Sequence, residues 1–407
     1  MSGEISKPLG IPRGLTVILG ALAALGAAAI DMYLPSLPMI ETDLSPGSGQ
    51  AQFTLSAFFV GLGIGQLFYG PASDAFGRRR VLMGGIILYC VASLACAFAG
   101  SMEQLIAARF IQALGAASGG VIARAMVRDM FALNEAARAQ SFIALAFSVT
   151  PLLAPNIGGY ILIAFGWRAI FLVLCGFGAV CLFMLVTRVP ETLAPERRTP
   201  LRFLSLLRSY RLILSQRRSV GCILTGAFGF AGMFTFFAAS PFVYIEVYRI
   251  PYQHYGLLFG MNVLGIMATN YINTRLVIQK GAMAMLRIGS MLSALGGVLL
   301  FVCITFEIGG LAGVVAPMML VVGSLGFIGA NAIAGALEPF PTLAGTTASL
   351  FGFSQMMLGA LMGGIVGLTH DGTPLPMGIL IGTTCVLGLL CYLLIVRPAD
   401  NAAVDLA

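Results

Sequence analysis

Two residues able to carry charge lie inside long apolar runs: Asp31, at the end of the first run, and Arg109, two turns into the fourth. A charge in hydrocarbon is costly, and such residues usually face the protein interior or a watery path and serve function. A carboxyl whose surroundings rearrange can cross the working pH, which makes Asp31 a candidate proton carrier. The other reading of Asp31 is a structural cap on the first run. Arg109 does not deprotonate usefully and is the natural partner of Asp31. It either tunes the carboxyl's proton affinity or simply holds two helices together.

Further residue types with chemical meaning flank these two. Gly70 to Arg80 reads GPASDAFGRRR. Gly70 and Gly77 allow a sharp turn, while Asp74, Arg78 and Arg79 supply charges that can reach neighbouring ions. Contacts of this kind, formed in one state and broken in another, make a two-state element. Ordinary neutralisation of a loop is the alternative. In the fifth run, Pro151 and Pro155 remove backbone donors and favour bends, and Gly158 with Gly159 admits close neighbours.

The elements that must position these residues are membrane spans. Of 407 residues, 58% are hydrophobic and 10% charged, with a mean hydropathy of +0.95. A water-soluble domain does not carry such a composition. A span needs about 20 mostly apolar residues, and twelve such windows follow one another: 14–34, 52–74, 81–100, 103–125, 139–163, 167–187, 219–241, 254–276, 284–304, 310–333, 344–368 and 375–396. The expected fold is all-α, with twelve transmembrane helices in two six-helix bundles. Residues 1–187 would form the first bundle, 188–218 a linker and 219–407 the second bundle. Two parallel repeats with a cavity near the midplane would follow.

Lys and Arg set the orientation, because cytoplasmic loops carry the positive charge. With the N-terminus inside, every basic residue except Arg109, Arg168 and Arg249 falls on the cytoplasmic side, and both termini are cytoplasmic. The start, MSGEISKPLGIPRG, has no cleavable signal pattern, so the first run is expected to remain as a span. The net charge of +7 sits in loops beside lipid headgroups, which argues for membrane lipid and against nucleic acid as the partner. Within the linker, Leu204, Leu207, Leu212 and Ile213 alternate with Arg202, Arg208 and Arg211. That spacing fits either a helix on the membrane surface or a charged tether. The eight cysteines lie within spans with no CxxC pair and read as free thiols. Asn262, Asn270 and Asn331 are expected to bond across helices, and Glu246 and Glu307 to be solvated at span ends.

The chain resembles the major facilitator superfamily over nearly its whole length. GPASDAFGRRR is similar to that family's signature between spans two and three, and RFIQALGAA at Arg109–Ala117 resembles its R-x-x-q-G-x-g-a-a element, with Ala113 in place of a glycine. APNIGG at Ala154–Gly159 resembles the motif of drug:proton antiporters, although Ala154 stands where a glycine is common. DMYLPSLP at Asp31–Pro38, ETLAPERR at Glu191–Arg198 and the segment Gly229–Glu246 look like the bicyclomycin-resistance (Bcr/CflA) branch. The resemblance implies a latch in which Asp74 faces the N-terminal end of span eleven near Ala344–Thr347, with Arg78 paired to Asp129. It makes span five a gate against leak; a kinked packing helix is the alternative.

Tyr33, Phe58, Phe147, Met233, Phe234, Phe237, Met261 and Gln355 are candidates for the substrate cavity, because aromatic and Met surfaces adapt to varied apolar ligands and amides add hydrogen bonds. Any of them can instead face lipid or pack in the core. The chain has no G-x-x-x-x-G-K-[ST] loop for ATP, so an ion gradient must supply energy. His254 and His370 lack metal-ligand spacing, and no cofactor or metal is expected. The expected activity is proton-coupled export of amphipathic drugs, such as bicyclomycin, across the bacterial inner membrane by alternating access. A metabolite transporter is the alternative, and a polytopic membrane enzyme a remote one. Twelve spans around a cavity need no second subunit, so a monomer is expected.

Overall fold

The computed structural model describes residues 14–44, 49–131, 133–200 and 203–404, with the side chains at 133–134, 137–138, 141–142, 145–148, 203–205 and 401–404 outside the description. Twelve long helices carry the chain: α1 Leu15–Asp31, α2 Ala51–Phe76, α3 Arg78–Ala97, α4 Met102–Met130, α5 Leu133–Phe165, α6 Trp167–Arg188, α7 Arg217–Pro241, α8 Tyr252–Lys280, α9 Ala282–Thr305, α10 Gly310–Leu337, α11 Ala344–Leu368 and α12 Leu375–Cys391. Among the described residues there is no strand. Ten of these helices are long and apolar enough to cross a membrane. Of the other two, α5 carries the apolar stretch Val149–Phe165, and α8 spans 29 residues with polar side chains in its last turns.

Local chemistry sets the ends. Ser101 caps α4 by accepting the Gln104 N–H at 3.3 Å, and Glu103 sits favourably in the first turn. Gly77 (φ 97°) and Gly281 (φ 79°) join α2 to α3 and α8 to α9 in a backbone region that favours glycine. Pro35 ends the first span early: α1 stops at Asp31, a short 3-10 turn covers Leu34–Ser36, and a second short helix runs over Leu37–Leu44.

Packing repeats six helices on. In the first half α1 packs on α4 and α5, α2 on α4, and α3 on α4 and α6; in the second α7 packs on α10 and α11, α8 on α10, and α9 on α10 and α12. The two main contacts that join the halves, α2 with α11 and α5 with α8, exchange under the same shift. This is the parallel repeat expected of two six-helix bundles. Lipid supplies no hydrophobic drive between helices, so close backbone approach does the holding. A Cβ on Gly119 would overlap the Leu22 carbonyl, and one on Gly85 would overlap Ser118.

The linker also holds a helix, Phe203–Ser215. It exposes Leu207, Leu212 and Leu214 but turns Ile213 fully inward against the second half, together with Tyr210. Ile213 is therefore a packing anchor rather than part of the outward stripe.

Candidate functional site

Arg109 is fully buried on α4. Its guanidinium carbon lies 4.1 Å from the Phe58 ring centroid, 4.4 Å from Tyr33 and 5.8 Å from Phe171. Nη1 donates to the Ala29 carbonyl at 3.1 Å and to Gln112 Oε1 at 2.7 Å. Gln112 in turn donates to Ser93 Oγ at 2.8 Å, which donates to the Tyr89 carbonyl at 2.7 Å. Arg109 Nε and Nη2 have no hydrogen-bond partner. Ring faces thus meet a desolvated cation in place of a carboxylate.

Asp31 is 2% exposed, and its Oδ2 is buried without a hydrogen-bond partner. Among the described residues no ion pair joins it to Arg109. The expected partnership is not a direct contact here: α1 offers Arg109 the Ala29 carbonyl, two residues before Asp31, and the guanidinium lies against three rings. Tyr255 of α8 is fully buried, and its hydroxyl lies 2.9 Å from Ser240 Oγ. Gly158 packs so closely on the end of α1 that a Cβ would overlap the Met32 carbonyl, and a Cβ on Gly159 would come within 2.7 Å of the Tyr252 carbonyl. These adjacent glycines of α5 seat it against α1 and α8. Pro151 and Pro155 lie inside α5, which remains one continuous helix.

The expected cavity residues divide. Tyr33 and Phe58 form the floor under Arg109, and the Tyr33 hydroxyl lies 2.7 Å from Thr54 Oγ1. Phe234 lies tilted against Phe59 of the first half at 4.5 Å and edge-on to Phe237 at 5.9 Å, and Phe237 meets Phe259 at 5.2 Å. Gln355 is buried with an unpartnered Nε2, and Met233 is partly buried against both clusters of core residues. Met261 does not join them: with Leu257 and Leu264 it lies on the exposed stripe of α8, opposite Tyr255 and Phe259. The Phe147 side chain lies outside the described residues.

At the other end of the bundle, Arg78 pairs with Asp74 and, through Nε, with Asp129 at 3.0 Å, and donates to Ser73 Oγ at 2.7 Å. The Arg78–Asp129 contact that the resemblance implied is present. Among the described residues no ion pair joins Asp74 to α11; its carboxylate is held by Arg78, and its carbonyl accepts the Thr199 N–H at 3.2 Å. Gly70 and Gly345, on the helices that would meet there, both face open space. Arg79 donates to the Val186 carbonyl at 2.7 Å.

Sequence reasoning gave Glu191, the first residue of ETLAPERR, no role of its own, yet its carboxylate accepts the backbone N–H groups of Arg78 at 2.9 Å and Arg79 at 3.2 Å. Its signal was its place directly after α6, beside the loop it caps. Phe171 and Gln112 were likewise missed as groups that hold Arg109; Gln112 lies one turn on from it. Of the three asparagines, only Asn331 bonds across helices, donating to Asn273 Oδ1 at 2.8 Å. Asn262 donates to its own helix at Leu258, and Asn270 is exposed. Glu246 and Glu307 are exposed as expected, and all eight cysteines are free.

Residues 17–364 match the model of the Major Facilitator Superfamily. The chain belongs to this superfamily. It is 35% identical to a bicyclomycin resistance protein homolog of Haemophilus influenzae, over 92% of this chain and 94% of that one. It is 29% identical to multidrug resistance protein D of Escherichia coli, over 93% and 95%. In fold it is similar to a partially occluded inward open conformation of the xylose transporter XylE from E. coli, with a TM-score of 0.72 at 15% identity, covering 94% of this chain and 96% of that one. The protein is therefore a multi-pass membrane transporter for small molecules, not an enzyme.

Proposed function

We propose that this transporter is a proton-coupled antiporter that exports amphipathic drugs or antibiotics, bicyclomycin among them, across the bacterial inner membrane by alternating access. The observation that carries the reading is Asp31, buried with an unpartnered oxygen beside a helix contact that also holds a carboxylate-free Arg109. A group so placed is expensive unless it works, and carrying a proton is work that a carboxyl can do. The names of the relatives, which concern bicyclomycin and multidrug resistance, support drug as the cargo. The apolar and aromatic surroundings, with Gln355 as a spare amide donor, suit neutral or weakly polar compounds.

The functional units are a first bundle, 1–187, a cytoplasmic linker, 188–218, and a second bundle, 219–407, in one monomer with both termini inside. Substrate enters from the Arg78 end, which faces the cytoplasm. When the halves part at the Asp31 end, Asp31 takes a proton from outside as the compound leaves, and reorientation delivers that proton inside. The Arg78–Asp129–Glu191 corner and the α5 glycines hold the two states apart. Proteoliposomes with an imposed pH gradient test this: adding bicyclomycin, chloramphenicol or related amphipathic drugs should move protons. No proton movement with any drug in an active preparation would reject the antiport reading.

A further inference from the structure

Helices α2 and α11 meet along a seam that is shut at the Asp31 end of the molecule and parted toward the Arg78 end. At the Asp31 end a Cβ on Gly367 would come within 2.7 Å of the Gly49 carbonyl, and Gly49 itself holds a φ of 65°. Further along, a Cβ on Gly363 would lie 2.7 Å from Ser56 Oγ, and one on Gly352 would overlap Gln66 Oε1. The next pair in this antiparallel register is Gly70 with Gly345, and a Cβ on either meets nothing within 4 Å.

Gln52 sits in the first turn of α2, at the shut end, and is fully buried. Its Cβ lies 3.4 Å from the position that a Cβ on Gly367 would take. Neither its Oε1 nor its Nε2 has a hydrogen-bond partner, and among the described residues it is the only amide side chain with both ends buried in that way. The backbone around it is served: the Glu41 carboxylate, itself buried, accepts the N–H groups of Gly49 and Ala51 at 2.7 Å each. A buried amide without partners carries a desolvation cost that nothing returns. Water satisfies the same amide once the two helices separate there. The cost therefore falls on the shut form alone.

We propose that Gln52 is a positioning residue of the transport cycle: its unpartnered amide destabilises the form in which α2 and α11 meet at the Asp31 end, and so keeps that end ready to part. This role rests on alternating access as proposed above. A side chain that costs free energy in one form and not in the other shifts the equilibrium between them without touching cargo or proton. Removing its polarity at constant length leaves the molecule more stable and less able to open.

Thermal unfolding and hydrogen–deuterium exchange of the full-length protein in neutral detergent test this with two variants. Gln52→Met keeps the length of the side chain and removes both polar groups. It should raise the melting midpoint by about 3 °C and slow exchange in residues 51–56 and 363–368 about tenfold. Exchange in 70–76 and 344–349, at the Arg78 end, should become faster. A merely structural role does not move the two ends in opposite senses. Gly367→Ala should do the reverse, because its methyl group presses on the Gly49 carbonyl: a lower midpoint, faster exchange at the Asp31 end and slower exchange at the Arg78 end. The proposal is overturned if Gln52→Met melts at or below the wild-type midpoint, or if its exchange moves in the same sense at both ends or not at all. Opposite movement of the ends in Gly367→Ala then leaves alternating access standing without Gln52, whereas no coupling of the ends in either variant rejects that reading as well.

Discussion

Arg109 is fully buried with no carboxylate beside it, whereas Arg78, 6% exposed, meets Asp74 and Asp129 and receives Glu191 at its backbone. Both are buried arginines of the first half, some thirty residues apart in sequence. One is held by ring faces and two neutral acceptors, with Nε and Nη2 left over. The other is nearly saturated with charge. A saturated network favours one arrangement, because breaking it strands a buried arginine and two part-exposed carboxylates. An arginine with spare donors can accept a new partner when the helices around it move. We therefore propose that Arg78 holds one state and that Arg109 responds within the transport cycle.

Removing either arginine should separate these roles. Arg109→Met is expected to reduce transport by at least about a hundredfold, as two charge-assisted contacts are each worth roughly a factor of ten. It should leave the melting midpoint unchanged or higher, because an apolar side chain of similar length removes a buried, unpaired charge. Drug efflux assays alongside thermal unfolding check both parts, and a large fall in stability would contradict the assignment. Gly158→Ala should cost about 2–3 kcal/mol and slow transport, since the methyl group must displace the Met32 carbonyl.

Arg78→Met should show the reverse balance to Arg109→Met. It is expected to lower stability by about 2 kcal/mol, a figure reduced for the part-exposed Asp129 and Asp74, while transport per folded molecule falls far less. Unfolding of purified protein and transport normalised to folded protein resolve the two effects. The smallest change is expected of Gln112→Leu, which removes one acceptor from Arg109 and should slow transport about tenfold, with the rings still in place. Transport equal to wild type would show that Gln112 does not position the guanidinium.

Much of this architecture was legible in the sequence because hydrocarbon imposes a simple rule. The window 344–368 coincides with α11, and 167–187 with α6 to within a residue. The misses follow from polar residues that continue a helix past its apolar part. Thus α8 runs on through Arg275 and Gln279 to Lys280, and α5 begins at Leu133 rather than 139. Asp31 and Arg109 stood out as charges among apolar neighbours, but the contact between them did not follow from that. Arg109 found rings: Phe58 stood out only as a cavity residue, and among 28 phenylalanines no pattern singles out Phe171. The exposed position of Met261 on α8 likewise did not follow from composition. Glu191 was quoted as the first residue of ETLAPERR, but its contacts did not follow, because its partners are backbone N–H groups more than a hundred residues away.

The central claim is that Asp31 carries the proton exchanged for drug. The most direct measurement is proton release by the purified protein in weakly buffered detergent when a transported drug is added, comparing wild type with Asp31→Asn. The account predicts release of about one proton per wild-type molecule and none from Asp31→Asn, with the variant folded as judged by its melting midpoint. Equal release from both would contradict it and move the proton to another group.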